Sequence, residues 1–198
     1  MDPEDAQTSP VMPKGQQAIM QAVVHVVAQK GLRGLTFRSV AAEAGVSPTL
    51  AAHYFKTRDE LIKATLTWVA NYAVDSTHLR SFLSEQQDYE NALAWSIENE
   101  PDLHAFQIEM ILEARRRPEL RPALVDLYST YLSALKSDAE ILGLFSLSEA
   151  AYRAVFAGID GLILQYFIGA ITIEQFREST LVLWDSIPQA NQSGDVSS

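Results

Sequence analysis

The side chains best suited to chemistry lie between Thr36 and Arg58. Ser47 and Thr49 carry hydroxyls, His53 an imidazole, and Arg38, Lys56 and Arg58 carry positive charge. Such groups can hold phosphates and touch base edges: cations pin phosphates, and a threonine offers a groove both a hydroxyl and a methyl. Ser47, Pro48 and Thr49 open a helix, and the free amides and partial positive charge there favour a phosphate or a base edge. His53 follows Thr49 by one turn on the same face. Arg58 opens the next helix and marks a second anion site.

The elements that must position these groups follow from local signals. Thr36 can cap a helix with Ser39 in its third position, and Gly45 suits the left-handed conformation that ends it. Ser47 caps the next helix, with Pro48 at its first position, where a missing N–H is no loss. This spacing predicts a helix-turn-helix, whose second helix lies in the DNA major groove while the first crosses the backbone. Leu35, Val40, Ala41, Val46, Leu50, Tyr54 and Phe55 supply a small core against a helix over 16–30. Val23, Val24, Val26 and Val27 are locally strand-like, but Ile19, Val23, Val26 and Val27 fit one helical face. Thr57 with Glu60 predicts a capping box for a long helix from Arg58 to about Arg80.

Beyond it the pattern remains helical, over 86–99, 102–116, 119–142, 147–170 and 173–187. The expected fold is all-α: an N-terminal three-helix helix-turn-helix domain followed by a larger helical domain, about nine helices in all. Residues 1–14 read as a disordered lead, 15–62 as the helix-turn-helix domain, 63–188 as the larger domain and 189–198 as a disordered tail.

Charge divides the 198 residues the same way. The formal net charge is -10, yet residues 14–63 hold seven bases against three acids, and residues 64–198 hold eight bases against nineteen acids. A positive segment on a negative remainder points to two tasks in one chain. The chain has no cysteine, which excludes disulfides, thiol nucleophiles and cysteine-bound zinc. The four histidines form no paired Glu-x-x-His motif, and no nucleophile elbow, phosphate loop or dinucleotide fingerprint occurs, so neither enzyme activity nor a cofactor or metal is expected. No apolar run reaches the ~18 residues of a membrane span, and the acidic start is unlike a signal peptide. A cytoplasmic protein without a membrane partner is expected. Spacing and charge alone leave open a helical adaptor that binds protein.

The run Thr36-Phe37-Arg38-Ser39-Val40-Ala41-Ala42-Glu43-Ala44-Gly45-Val46-Ser47, followed by His53-Tyr54-Phe55-Lys56-Thr57-Arg58-Asp59-Glu60-Leu61, resembles the DNA-binding domain of the TetR family of transcriptional regulators. The resemblance is close over residues 16–66 and weaker beyond. It departs at Ala52, where the family commonly has a phosphate-touching tyrosine, and at Arg58, which replaces the family's lysine and keeps its charge. By match to the family pattern, Thr36, Arg38, Ser47, Thr49, His53, Tyr54, Lys56 and Arg58 are the candidate DNA contacts.

The resemblance implies that residues 63–188 sense a ligand and form a homodimer. The helices over 147–170 and 173–187 are apolar on more than one face, so Leu162, Ile163, Tyr166 and Phe167 in the first, with Leu181, Leu183 and Trp184 in the second, form a candidate dimer interface. Candidate pocket residues are Trp68, Tyr72, Trp95, Phe106, Met110, Tyr128 and Phe156, with Gln107, Glu109, Glu113, Asp160 or Gln165 as polar handles. For each of these, core packing is the competing role. Such a pocket favours a lipophilic or aromatic effector, and buried acids would instead accept a cation. The implied function is a ligand-responsive regulator that binds a palindromic double-stranded DNA operator as a dimer and is released by a small-molecule effector. A transcriptional activator of the same fold is the alternative.

Overall fold

A computed structural model describes residues 13–75, 86–141 and 147–186. Among these residues there are nine α-helices and no strand: α1 (Lys14–Lys30), α2 (Phe37–Glu43), α3 (Pro48–Tyr54), α4 (Arg58–Asp75), α5 (Gln86–Asn99), α6 (Pro101–Arg116), α7 (Arg121–Ile141), α8 (Glu149–Phe167) and α9 (Ile173–Asp185). They fall into two compact units divided between Thr65 and Leu66. The expected extension of α4 to Arg80, the lead before residue 13 and the tail after residue 186 lie outside the described residues.

In the first unit, α1 buries Ile19, Val23, Val26 and Val27 along one face, so helical spacing prevails over the β-preference of its valines. It ends at Gly31, whose φ of 63° is open to glycine and strained for other residues. Thr36 and Ser39 close a reciprocal capping box on α2: Thr36 Oγ1 accepts from the Ser39 amide at 3.0 Å, and Ser39 Oγ from the Thr36 amide at 2.9 Å. The exit from α2 is a Schellman turn. Gly45 has φ 65°, and the Val46 amide reaches back to the Ala41 carbonyl at 2.9 Å. Ser47 Oγ then accepts from the Leu50 amide at 3.1 Å and starts α3. Val40, Ala41, Ala51 and Phe55 join α1 in the core.

At α4 the capping differs slightly from expectation. Thr57 Oγ1 accepts from the Glu60 amide, but the Glu60 carboxylate takes the amide of Lys56 at 2.9 Å, one residue further back.

In the second unit, Ala94, Ile97, Leu135, Tyr152, Val155, Ile159, Ile163 and Phe176 form a buried cluster. Helices α8 and α9 pack closely at Gly158, where an added Cβ would lie 2.6 Å from Leu183 Cδ2. The expected helix over 119–142 is broken at its start: Pro118–Leu120 forms a separate 3-10 turn and α7 begins at Arg121. Pro122 sits in the first turn of α7, where proline costs no hydrogen bond. α8 stops at Phe167, three residues short of the expected end, because Gly169 takes φ 71° and the Ala170 amide turns back to the Gln165 carbonyl. No described helix is long and apolar enough to cross a membrane.

Candidate functional site

The first candidate site is the outer face of the helix-turn-helix. Thr49, Ala52 and His53 are exposed on α3, while Ala51, one step round the helix, is buried and anchors it. Leu50 and Tyr54 are half-buried and lie against the first turn of α1: a Cβ at Gly15 would meet both within 3.8 Å. Tyr54 thus divides between core and surface, with its ring edge-on to His53 at 5.8 Å. Arg38 and Lys56 are exposed, and so are Thr36 and Ser47, whose hydroxyls serve as the caps of α2 and α3.

Arg58 departs from its expected role. It is half-buried, its Nη2 donates to the Leu32 carbonyl in the turn after α1, and its Nε is buried without a hydrogen-bond partner among the described residues. In this structure its guanidinium ties the start of α4 to that turn instead of facing outward.

The second candidate site is a cavity of about 410 Å³ in the second unit, lined by the end of α4 and by α5, α6, α7 and α8. Five expected residues line it: Trp95, Gln107, Tyr128, Phe156 and Asp160. Phe106 and Met110 do not. Both are fully buried, on the α6 stripe Leu103, Phe106, Met110 and Ala114, whereas the neighbouring stripe of His104, Gln107, Ile108 and Ile111 faces the cavity. Trp68 and Tyr72 also fall outside the lining. Their rings stack at 5.0 Å, and Tyr72 Oη donates to Glu100 Oε1 at 2.7 Å, steadying an acid that does line the cavity. Glu109, Glu113 and Gln165 are not part of the lining.

Aromatic rings and a few polar groups shape the cavity. The Phe156 ring sits 5.4 Å from that of Tyr128, nearly perpendicular, and 5.9 Å from that of Tyr131. Tyr128 Oη donates to Asp160 Oδ2 at 2.8 Å, and Gln107 Nε2 donates to Tyr131 Oη at 3.0 Å. Burial raises the pKa of Asp160 above the usual carboxylate value, and the Tyr128 hydrogen bond opposes that rise. Burial and the nearby Asp160 charge push Tyr128 up as well. The Glu100 carboxylate, through its hydrogen bond, is the main cause that lifts Tyr72 to about 12. His104, 3.0 Å from Ser96 Oγ through Nε2, is lowered by burial to about 4 and is neutral near pH 7. Sequence reasoning missed His104, Tyr131, Ser96 and Glu100. The position of His104 four residues after Glu100 and three before Gln107 was the available signal. Among the described residues no cluster of three or more histidines and acids is placed to hold a metal ion.

The expected interface residues divide. Ile163 is buried in the core of the second unit and lines the cavity, and Leu162, Tyr166 and Leu183 pack against that core. Leu181 is half-buried, Phe167 is partly exposed, and the Trp184 side chain lies outside the described residues. The exposed large apolar residues here are Leu164, Phe167, Ile168 and Val182, so of the expected set Phe167 is on the outer surface while Ile163 is not.

Residues 86–184 match the family described as tetracyclin repressor-like, C-terminal domain, and residues 19–65 match the bacterial regulatory proteins of the tetR family. The chain belongs to the TetR family. It is a ligand-responsive transcriptional regulator with a helix-turn-helix DNA-binding region. It is 22% identical over 178 residues to the HTH-type transcriptional regulator PksA of Bacillus subtilis, covering 86% of this chain and 87% of that one. A crystal structure from Rhodococcus sp., assigned to the TetR family, superposes with a TM-score of 0.72 at 26% identity, over 89% of this chain and 99% of the other. The multidrug binding protein EbrR, crystallised with ethidium, superposes with a TM-score of 0.64 at 28% identity, over 88% and 99%. Further EbrR crystals hold proflavin and malachite green.

Proposed function

We propose that this TetR-family chain is a cytoplasmic repressor that binds a palindromic DNA operator as a dimer and lets go when an aromatic, lipophilic cation enters the cavity. The observation that carries the ligand class is Asp160, a carboxylate set among Tyr128, Tyr131 and Phe156 and held by the Tyr128 hydroxyl. Rings give an aromatic cation apolar and cation–π surface, and the acid balances its charge. Glu100 adds a second acid to the lining. Three of the ligands in the EbrR crystals support the same class, since ethidium, proflavin and malachite green are all aromatic cations in neutral water.

For DNA, the reading assigns Thr49 and His53 to the groove and Arg38, Lys56, Thr36, Ser47 and Tyr54 to the backbone, with residues 15–62 as the DNA-binding domain and 63–188 as the sensing and dimerising domain. Helix α4 contributes to both. The exposed apolar residues Leu164, Ile168 and Val182 support dimerisation through α8 and α9. Two reading heads must meet half-sites ~34–36 Å apart, so a ligand that favours another head spacing shifts the population away from the DNA-bound state.

The test uses genomic fragments selected by binding to the protein, and tetraphenylphosphonium, an aromatic cation that does not intercalate. The complex should weaken steeply with salt and should dissociate when the cation is added; Asp160→Asn should bind the fragment normally and resist release. A cation that binds neither form, or releases both equally, counts against the assigned ligand class.

A further inference from the structure

We infer that an open groove between α6, α7 and α8 is a second ligand site, built for a single-chain amphiphilic anion of the fatty-acid class. It is separate from the cation cavity and does not depend on the reading given to that cavity. The groove has a volume of about 600 Å³, the size of a small-molecule site. Ile111 and Tyr128 line both spaces, so one layer of side chains divides them.

The groove has two chemically different halves. Near the start of α7, Ile111, Ala114, Leu124 and Val125 make an apolar floor. Val125 is 62% and Ile111 41% exposed, so this floor is open to the chain of a ligand. Arg121 closes that end, with its Nε donating to the Ala114 carbonyl at 3.1 Å. Further along α7, Ser129, Ser133 and Lys136 follow at three- and four-residue steps and share one face, and Arg153 of α8 joins them in the lining. Both serines are exposed, and their hydroxyls are donors for an oxyanion.

The charge pattern identifies the occupant. Residues 64–198 hold nineteen acids against eight bases, yet the groove gathers three of those bases, Arg121, Lys136 and Arg153, against one acid, Glu149. A single oxygen, Glu149 Oε1, serves two of them: Lys136 Nζ at 3.6 Å and Arg153 Nη2 at 3.0 Å. An anionic head beside these cations supplies the missing acid, and its chain then runs over Val125 and Ile111 towards Arg121. From Lys136 back to Leu124 the helix rises about 18 Å, which suits an extended alkyl chain. A bilayer is a poorer occupant, because the surplus of acids over bases in residues 64–198 repels an anionic membrane surface.

The probe is dodecanoate, kept below its micelle concentration and dialysed to equilibrium against the full chain. The parent should bind one molecule per chain. Lys136→Gln and Arg153→Gln should each weaken binding about tenfold, the loss of one charge-assisted hydrogen bond, while Arg153→Lys stays within about threefold of the parent. Val125→Asp should abolish binding. Glu149→Gln should tighten it about threefold, because both cations are then left to the ligand, a gain that a merely structural role does not produce. Circular dichroism checks that each variant is folded. Location is read with 11-bromoundecanoate, whose bromine quenches tryptophan on contact. A chain with Trp68→Phe, Trp95→Phe, Trp184→Phe and Val125→Trp should be quenched, and a chain that keeps only Trp95, in the cavity wall, should not. Quenching of Trp95 instead places the acid in the cavity and overturns the inference. Equal affinities across the charge variants, or no binding by the parent, overturn it too. A change of sedimenting mass in Val125→Asp assigns the groove to a contact between copies, and pelleting of the parent with phosphatidylglycerol vesicles, lost in the same variants, assigns it to a membrane; either result also overturns the inference. Lys136, Arg153, Glu149 and Val125 line the groove and not the cavity, so failure here leaves the cation-released repressor standing.

Discussion

Tyr128 and Asp160 are joined by a 2.8 Å hydrogen bond from the phenol of α7 to the carboxylate of α8, across the wall of the cavity. The bond opposes the upward pull of burial on the Asp160 pKa. Cation binding needs the carboxylate charged, so affinity for tetraphenylphosphonium should grow as pH rises through that pKa. Tyr128→Phe removes the donor that opposes burial and should move the midpoint upward. Calorimetric titration at a series of pH values measures it; an unmoved midpoint removes Asp160 from the site. For stability alone the sign is opposite: a carboxyl raised on folding stabilises below its unfolded pKa, and that contribution is lost as pH rises through the folded value.

His104 works the other way. Its folded pKa is lowered from 6.5 to about 4, so the native state binds fewer protons and its contribution is complete above pH 6.5 and lost as pH falls towards 4. Between pH 7.5 and 5 this amounts to about 2 kcal/mol. Urea unfolding at the two pH values should show a smaller loss for His104→Gln than for the parent, a comparison that cancels the common contribution of Asp160. Equal losses would falsify the buried neutral imidazole.

Arg58 and Arg38 should separate cleanly. Arg58 donates to the Leu32 carbonyl, so Arg58→Ala should cost about 1–2 kcal/mol of stability and leave the salt dependence of DNA binding nearly unchanged. Arg38→Ala and Lys56→Ala should keep stability, and each should reduce the salt slope by about 0.9, one phosphate contact. A matching fall in slope for Arg58→Ala would mean that its side chain turns outward on DNA.

Thr49 and His53 stand exposed on one face of α3. Replacing either should change which bases are preferred, by about 1–3 kcal/mol at one or two positions, more than it changes affinity for random duplex. Selection from a randomised duplex library reads this out. An identical preferred sequence for both variants would place the groove contacts on other residues.

The helix-turn-helix was readable residue by residue because its signals are local. Thr36 with Ser39, Gly45, and Ser47 with Pro48 act within one turn of themselves, and the chain needs no distant partner to express them. The bounds of α5 follow from the same kind of punctuation. Periodicity also separated the faces of α6 and α8, but it does not say which neighbour each face meets. By periodicity alone Phe106 and Met110 read as cavity residues, but the next stripe, His104 and Gln107, lines it; Ile163 reads as outward, but it is buried and Leu164 is exposed. On a helix a shift of one residue turns a side chain by about 100°, and only packing against other helices decides where that direction leads. Arg58 gives the same lesson for charge: its type and place at a helix start are written in the sequence, but the Leu32 carbonyl that takes its guanidinium comes near only when the start of α4 folds against the turn after α1.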